Sequence, residues 1–210
     1  MLDVHAAHML LACCGGQKIF KQCLEILEEE NIEINYKDIM PKVYLFQKGG
    51  DDIKFKCIIN YCINKENRRV VLERLIDRNI DILNIQKDFY INEQELRHME
   101  ETGMIIGGHT VNHNLLSSLD EHEQREEIIN NIKTIEKILG HRIQWFCFPY
   151  GGAISYNETT IALLKEYGIQ YCLSVEHRDV STKDLALQFA IPRYDCTCFP
   201  YGKSYITKHI

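Results

Sequence analysis

Between Asn92 and Tyr194 the chain switches back and forth between two hydrophobic periods, and that alternation restricts its fold more than any other feature. A short apolar run, Met104 to Ile106, halts at Gly107-Gly108 and reads as a strand. The stretch from Leu119 to Leu139 then repeats apolar residues every three or four positions, at Ile128, Ile132, Ile135 and Leu139. It reads as an amphipathic helix, with Ser118 and Glu121 at capping spacing and Gly140 as its stop. A second strand, "IQWFCF", runs into the turn "PYGG"; a helix from Asn157 to Tyr167 ends at Gly168. The strand "IQYCLSV" and a last apolar stretch, "LALQFAIPRY", follow. This β-α-β-α-β order predicts an α/β fold with a parallel sheet covered by helices. In such sheets ligands and reacting groups gather beyond the carboxyl ends of the strands.

Upstream of Asn92 the pattern is helical. "QKIFKQCLEILEEE" (residues 17–30) places Ile19, Phe20, Cys23, Ile26 and Leu27 on one stripe. "KFKCIINYCI" (residues 54–63) is an apolar run of ambiguous period. The segment from Asn64 to Asn79 predicts a helix with Val70, Val71, Leu75 and Ile76 inward. Asn92 followed by Glu95 has the spacing of a capping box for a short helix stopped by Gly103. With 210 residues the whole is expected to be one domain: residues 1–91 a helical, insertion-like region and residues 92–210 a β/α core.

Composition removes several function classes. A net charge of -6 with scattered Lys and Arg argues against a nucleic-acid binder, whose contacts need clustered positive charge. No apolar run approaches the roughly 18 residues of a spanning helix, so no membrane span is expected. The opening "MLDVHAAHMLLACCGG" lacks a basic leader and is interrupted by Asp3, His5 and His8, unlike a secretory signal. Nine cysteines without such a signal read as reduced thiols of a cytoplasmic protein. Neither Cys13-Cys14 nor Cys196-x-Cys198 has zinc-knuckle spacing.

The chemically suggestive stretch is "GMIIGGHTVNH", with His109 and His113 four residues apart directly after the first strand. Two imidazoles at that spacing can face one cation, or can be two polar residues of a loop shaped by Thr110 and Asn112. The turn "FPYGG" one β-α unit later favours the first reading, because neighbouring parallel strands would bring both turns to one rim. Pro149 stiffens that turn, and Gly151 and Gly152 let backbone approach a ligand.

Taken together, "GMIIGGHTVNHNLLSSLDEHEQREEI" and "ILGHRIQWFCFPYGG" resemble the NodB-homology polysaccharide deacetylases, carbohydrate esterase family four. The family's H-[ST]-x-x-H motif matches His109, Thr110 and His113; its Leu-Ser step matches Leu116-Ser117; its Pro-Tyr-Gly turn matches Pro149, Tyr150 and Gly151. "LLKEYGIQYCLSV" is similar to the family's next helix and strand, and "IPRYD" to a late segment of a branch acting on surface-sugar precursors. The resemblance covers roughly Asn92 to Asp195. It implies a distorted, incomplete β/α barrel that hydrolyses N-acetyl groups on sugars. It also implies a divalent metal, Zn²⁺ first, with Co²⁺, Ni²⁺ or Mn²⁺ as alternatives, held by His109 and His113. Tyr150 would offer its backbone N–H to the oxyanion, Arg193 and Asp195 would form a polar pair at a strand end, and Thr110 would shape the turn. The expected partner is an N-acylated sugar or polysaccharide.

The resemblance breaks upstream. The family's T-F-D-D-G strand, source of a general base and the third metal ligand, is absent, so the first barrel strand is expected to be missing. Asp51-Asp52 follows Gly-Gly and reads as a turn; Asp3, His5, His8 and Asp195 are the alternative ligands. The sheet edge this leaves would need a cover, such as a second copy of the chain. Also absent are an Arg before the Pro-Tyr turn, where Phe146 to Phe148 stand, and the late L-x-H acid; His177 lies in a different context. A truncated site predicts weak or absent catalysis, and the alternative is a carbohydrate-binding or scaffold homologue without turnover. A redox or metal-sensing role for the cysteines is a third reading.

Overall fold

The computed structural model describes residues 1–43, 50–81 and 89–194. The chain divides into two compact units, Met1–Ile91 and Asn92–Ile210.

The first unit is helical among its described residues: α1 (Asp3–Cys14), α2 (Gly16–Glu29), α3 (Tyr36–Val43), α4 (Asp51–Cys57) and α5 (Lys65–Asn79). A π-helical turn, Ile58–Cys62, extends α4. Its core joins Leu10 of α1, Ile19, Cys23 and Ile26 of α2, Phe55, Ile58 and Ile59, and Val71, Leu72 and Leu75 of α5. The stripe expected on α2 is buried at Ile19, Cys23, Ile26 and Leu27, with Phe20 half-buried against it. Helix α5 starts where Asn64 caps it, the side chain accepting from Asn67 N–H at 2.8 Å. Its buried face is Arg68, Val71, Leu72 and Leu75, and Val70, expected inward, is exposed. Asp51-Asp52 begins helix α4 rather than making a turn: Gly50 is the N-cap, and carboxylates suit the positive end of a helix dipole. Asp51 also pairs with Lys54 at 2.8 Å.

The second unit holds the sheet. Helix α6 (Glu93–Glu101) opens with the expected Asn92–Glu95 capping box. Helix α7 (Glu121–Leu139) ends at Gly140 in the left-handed region, as expected, but its N-cap is Asp120, boxed with Glu123, and not Ser118. Ser118 instead ends a 3-10 turn, Leu116–Ser118. The order then runs β1 (Trp145–Cys147), α8 (Glu158–Glu166), β2 (Tyr171–Val175), α9 (Thr182–Leu187) and β3 (Ile191–Arg193). The strands form a three-stranded parallel sheet in the order β1-β2-β3, with Phe146 level with Cys172 and Val175 level with Arg193. Phe146 and Cys172 face a core made with Ile128 and Ile132 of α7 and Leu163 and Leu164 of α8. The architecture is α/β, a small open parallel sheet with helices around it, as a distorted, incomplete barrel requires.

The strand expected at Met104–Ile106 does not form. Two of its three apolar side chains are exposed, Met104 at 52% and Ile105 at 72%, and Ile106 is half-buried. Only Gly108 pairs, in a single parallel bridge to Phe146. Strand structure depends on ladder partners as much as on side-chain pattern, and this run has little of either burial or pairing. Gly107 and Gly108 make even that bridge feasible. A Cβ on Gly107 would stand 2.8 Å from the Trp145 carbonyl oxygen, and one on Gly108 2.7 Å from the Phe146 ring.

Candidate functional site

Three segments meet where β1 ends. The Gly108 bridge, with Gly108 N–H donating to Trp145 C=O at 2.9 Å and Cys147 N–H to Gly108 C=O at 2.8 Å, carries the chain to the rim of the sheet. His109 comes next, and its Nδ1 lies 2.6 Å from the Cys147 carbonyl oxygen. A carbonyl only accepts, so Nδ1 holds the proton and the lone pair of a neutral ring sits on Nε2. Desolvation by surrounding protein, with the positive charge of Arg193 adding to it, pushes the His109 pKa below the usual 6.5 against the opposing pull of that hydrogen bond. The shift favours the neutral form, the form in which an imidazole binds a metal.

His113 is brought to the same place by a tight turn. Its ring centroid is 4.8 Å from that of His109 and 4.9 Å from that of Tyr150, both edge-to-face. The turn is strained: Thr110 has φ +66° and His113 φ +57°, in the left-handed region that non-glycine residues, β-branched ones above all, seldom occupy. Each such residue costs of order 1–3 kcal/mol and persists only where neighbours hold it. Thr110 Oγ1 accepts from His113 N–H at 3.0 Å, which closes the turn on itself.

Helix α7 supplies the stronger hold. Asn131 Oδ1 accepts from His109 N–H at 2.9 Å. One turn earlier, buried Glu127 accepts through Oε2 from the N–H groups of Val111 (3.1 Å) and Asn112 (2.8 Å). Its Oε1 accepts from the side-chain amides of Asn112 (2.7 Å) and Asn114 (2.8 Å). Neither Glu127 nor Asn131 stands out in the sequence, where "REEIINN" reads as an ordinary charged helix face. The available signal is their i, i+4 spacing on the side of α7 that also carries Ile128 and Ile132.

The second turn is tied to the first. Tyr150 (φ +64°) and Gly151 (φ +71°) are consecutive left-handed residues after Pro149. Gly151 C=O accepts from Val175 N–H at 2.7 Å, anchoring the turn on β2. A side chain on Gly151 would collide with Val175. From the segment following the histidines, Ser117 donates through Oγ to Ile154 C=O at 2.6 Å and through N–H to Ser155 C=O at 3.2 Å. Leu116 beside it is fully buried. The Leu-Ser step therefore stitches the histidine turn to the Pro-Tyr-Gly-Gly loop.

Of the sequence candidates, His109, His113 and Tyr150 come together, and Arg193, at the end of β3, lies close enough to influence the His109 charge. The Arg193 Nε is buried and meets no hydrogen-bond acceptor among the described residues. Asp195 lies outside the described residues. Asp3 and His5 belong to the first unit, where Asp3 pairs with Arg68 at 3.0 Å and His5 Nδ1 lies 3.0 Å from the Tyr90 hydroxyl. His8 is in the same helix as both. His177 stacks on Tyr194, ring centroids 6.5 Å apart. Two imidazoles suit two positions around a divalent cation. Among the described residues, no group of three His, Cys, Asp or Glu side chains completes one.

Burial pushes Cys23, Cys62 and Cys172 up to about 12, which keeps them protonated and unreactive. Cys57 and Cys62 lie with sulfurs 3.9 Å apart. Cys196 and Cys198 lie outside the described residues. No helix among the described residues is long and apolar enough to cross a membrane.

No curated protein matches the chain. Among solved structures, the deacetylase PplD of Streptococcus pyogenes, in complex with acetate, is 14% identical over 84% of this chain and 79% of its own, with a TM-score of 0.47. The BpsB deacetylase domain from Bordetella bronchiseptica is 19% identical over 51% of this chain and 49% of its own, with a TM-score of 0.43. A family 4 carbohydrate esterase from Streptomyces lividans, in complex with acetate, is 20% identical over 53% and 60%, with a TM-score of 0.38. This chain thus spans about half the length of the Bordetella chain. With all three scores below 0.5, the fold stands on the chain's own geometry. The family described as polysaccharide deacetylase matches residues 70–172, a segment that includes both turns and α7 and stops before Arg193. That segment, with both histidines and the Pro-Tyr-Gly turn inside it, is thus similar to the polysaccharide deacetylase family.

Proposed function

We propose that the chain hydrolyses the N-acyl bond of an N-acylated sugar, with acetyl as the acyl group. Water adds to the amide carbonyl, the C–N bond breaks, the sugar amine leaves with a proton, and acetate is the second product. The observation that carries this reading is the convergence of the His109 and His113 rings beside Tyr150, at the carboxyl end of a parallel sheet and within the family-matched segment.

His109 and His113 would hold a divalent ion, Zn²⁺ first, and such an ion would supply a water of lowered pKa and a positive charge for the carbonyl oxygen. The chain's own residues do the rest. The bond from His109 Nδ1 to Cys147 C=O orients the ring and aims its lone pair outward. The backbone N–H of Tyr150 is the donor proposed for the developing oxyanion, a contribution worth about 10²–10³ in rate at comparable sites. Arg193 adds positive charge at the same rim. The third ligand is the open element; Asp195, outside the described residues, is its candidate in this chain.

Acetate release from N-acetylated sugar oligomers, measured with added Zn²⁺ or Co²⁺, tests the proposal. Turnover should fall by at least two orders of magnitude in His109→Ala, and an unchanged rate in that variant would refute the site. The two-imidazole donor set motivates a second reading, in which this rim binds sugar without turnover. Saturable sugar binding with no acetate release at any metal loading would favour it.

A further inference from the structure

We infer that Glu127 is the positioning residue of the histidine pair: its carboxylate, though far from any reacting atom, sets where His109 and His113 can point. The inference rests on the site proposed above and names what holds that site in shape.

Four donors converge on Glu127, and all come from the three residues Val111, Asn112 and Asn114, which lie between the histidines or just after them. Each carboxylate oxygen takes two. A carboxylate is the one common side chain that offers two acceptors and no donor in this shape. A glutamine would turn one of those oxygens into an NH₂ facing two other N–H groups. Because Glu127 is only 7% exposed, water is poorly placed to stand in for it.

The turn needs this hold. Thr110 and His113 both sit at positive φ within four residues, so the unrestrained segment would favour other backbone angles. Relaxation of either residue swings a histidine away from its partner ring. Asn131, one turn along α7, clamps only the His109 end. Glu127 spans the middle of the turn and its far side, so the loop's curvature depends on it.

The test uses the full chain with Glu127→Gln, Glu127→Asp and, as a control, Glu126→Gln, whose exposed side chain does not touch the turn. In metal-free protein, nuclear Overhauser contacts between the two imidazoles and amide exchange at Val111 and Asn112 report the turn directly. Calorimetric titration with Zn²⁺ reports what the turn presents. Glu127→Gln should lose the ring-to-ring contact, speed exchange at both amides, and weaken Zn²⁺ binding about ten-fold or more, the scale on which supports one step removed from a metal act. Glu126→Gln should change none of these. Adding Thr110→Asn, which enters the left-handed region more readily and keeps an acceptor, should restore part of the ring contact in Glu127→Gln; a general loss of helix packing would not be rescued this way.

Wild-type ring contacts and slow exchange preserved in Glu127→Gln and Glu127→Asp would overturn the inference. If either variant unfolds, the Thr110→Asn background decides: continued unfolding there assigns Glu127 to global packing and overturns it too. A wild-type protein that shows the ring contact but binds no Zn²⁺ would refute the metal site alone, because the Overhauser and exchange measurements need no metal.

Discussion

The two units of this chain spend polar groups in opposite ways. In the first, the core is apolar apart from Arg68, which pairs with Asp3 at 3.0 Å, and other charges meet at the surface, Arg74 with Glu29 and Glu30, Arg78 with Glu29 at 3.2 Å. Among its described non-glycine residues only Asn31 has a positive φ, just past the end of α2, where asparagine is well tolerated. In the second, Thr110, His113, Tyr150 and Gln188 all do, and a buried carboxylate with four donors holds the first two. The lesson is that the helical unit packs with its backbone almost wholly in favoured regions, whereas the sheet unit keeps an uphill backbone in place at one rim. Backbone held against its preference, next to converging imidazoles, is a reason to look for function there.

The largest expected effect falls on the apolar side of this contrast. Phe55→Ala empties the centre of the first unit's core and should lower stability by about 3–5 kcal/mol. Urea unfolding followed by far-UV circular dichroism measures it, and a loss below ~1 kcal/mol would mean that this core is looser than its burial indicates. A smaller effect probes the strained side. Gly151→Ala combines a left-handed φ with a collision against Val175, and should destabilise the second unit by about 2–3 kcal/mol. Trp145, the chain's single tryptophan, lies in β1 and reports this by fluorescence; an unshifted unfolding midpoint would show that the tyrosine turn is relaxed.

The smallest effect separates two histidines of the second unit. His141 is exposed, its Nε2 2.9 Å from Glu100, and that hydrogen bond holds its pKa above 6.5. The pair's stabilisation is complete below pH 6.5 and fades as pH rises through the folded pKa, and it is small because water screens it. His109 behaves oppositely: with its folded pKa below 6.5, its contribution is present above that pH and is lost as acid protonates the ring. Carbon-detected histidine titration by NMR should therefore find His141 protonating first as pH falls and His109 later. The reverse order would remove the electrostatic difference between site and surface.

Local signals carried much of this fold. Asn64, Asn92 and Asn157 begin helices because an asparagine oxygen can satisfy N–H groups two or three residues on, which requires nothing distant. The runs around Trp145 and Tyr171 become strands as expected, since apolar residues there have helices to pack against. The same reasoning misplaced the strand at Met104–Ile106, where side-chain pattern spoke and ladder partners did not follow. It placed Ser118 at a cap that Asp120, two residues later, takes; both residue types cap well, and the chain's exit from Leu116 decides between them. Val70 was expected inside and Leu72 was not, a matter of helix rotation that only the packed neighbours settle.

At the site, the identity of the imidazoles, their spacing and the Pro-Tyr-Gly turn are properties of the sequence, because residue chemistry and chain order do not depend on folding. Which glutamate of the pair Glu126-Glu127 faces inward depends on the fold. The two are adjacent on α7 and chemically the same, and a rotation of about 100° per residue sends one to solvent and the other beneath the histidine turn. That choice is made by the packing of Ile128 and Ile132 against Phe146, a contact between residues far apart in the chain, and it places a carboxylate where four amide donors need one.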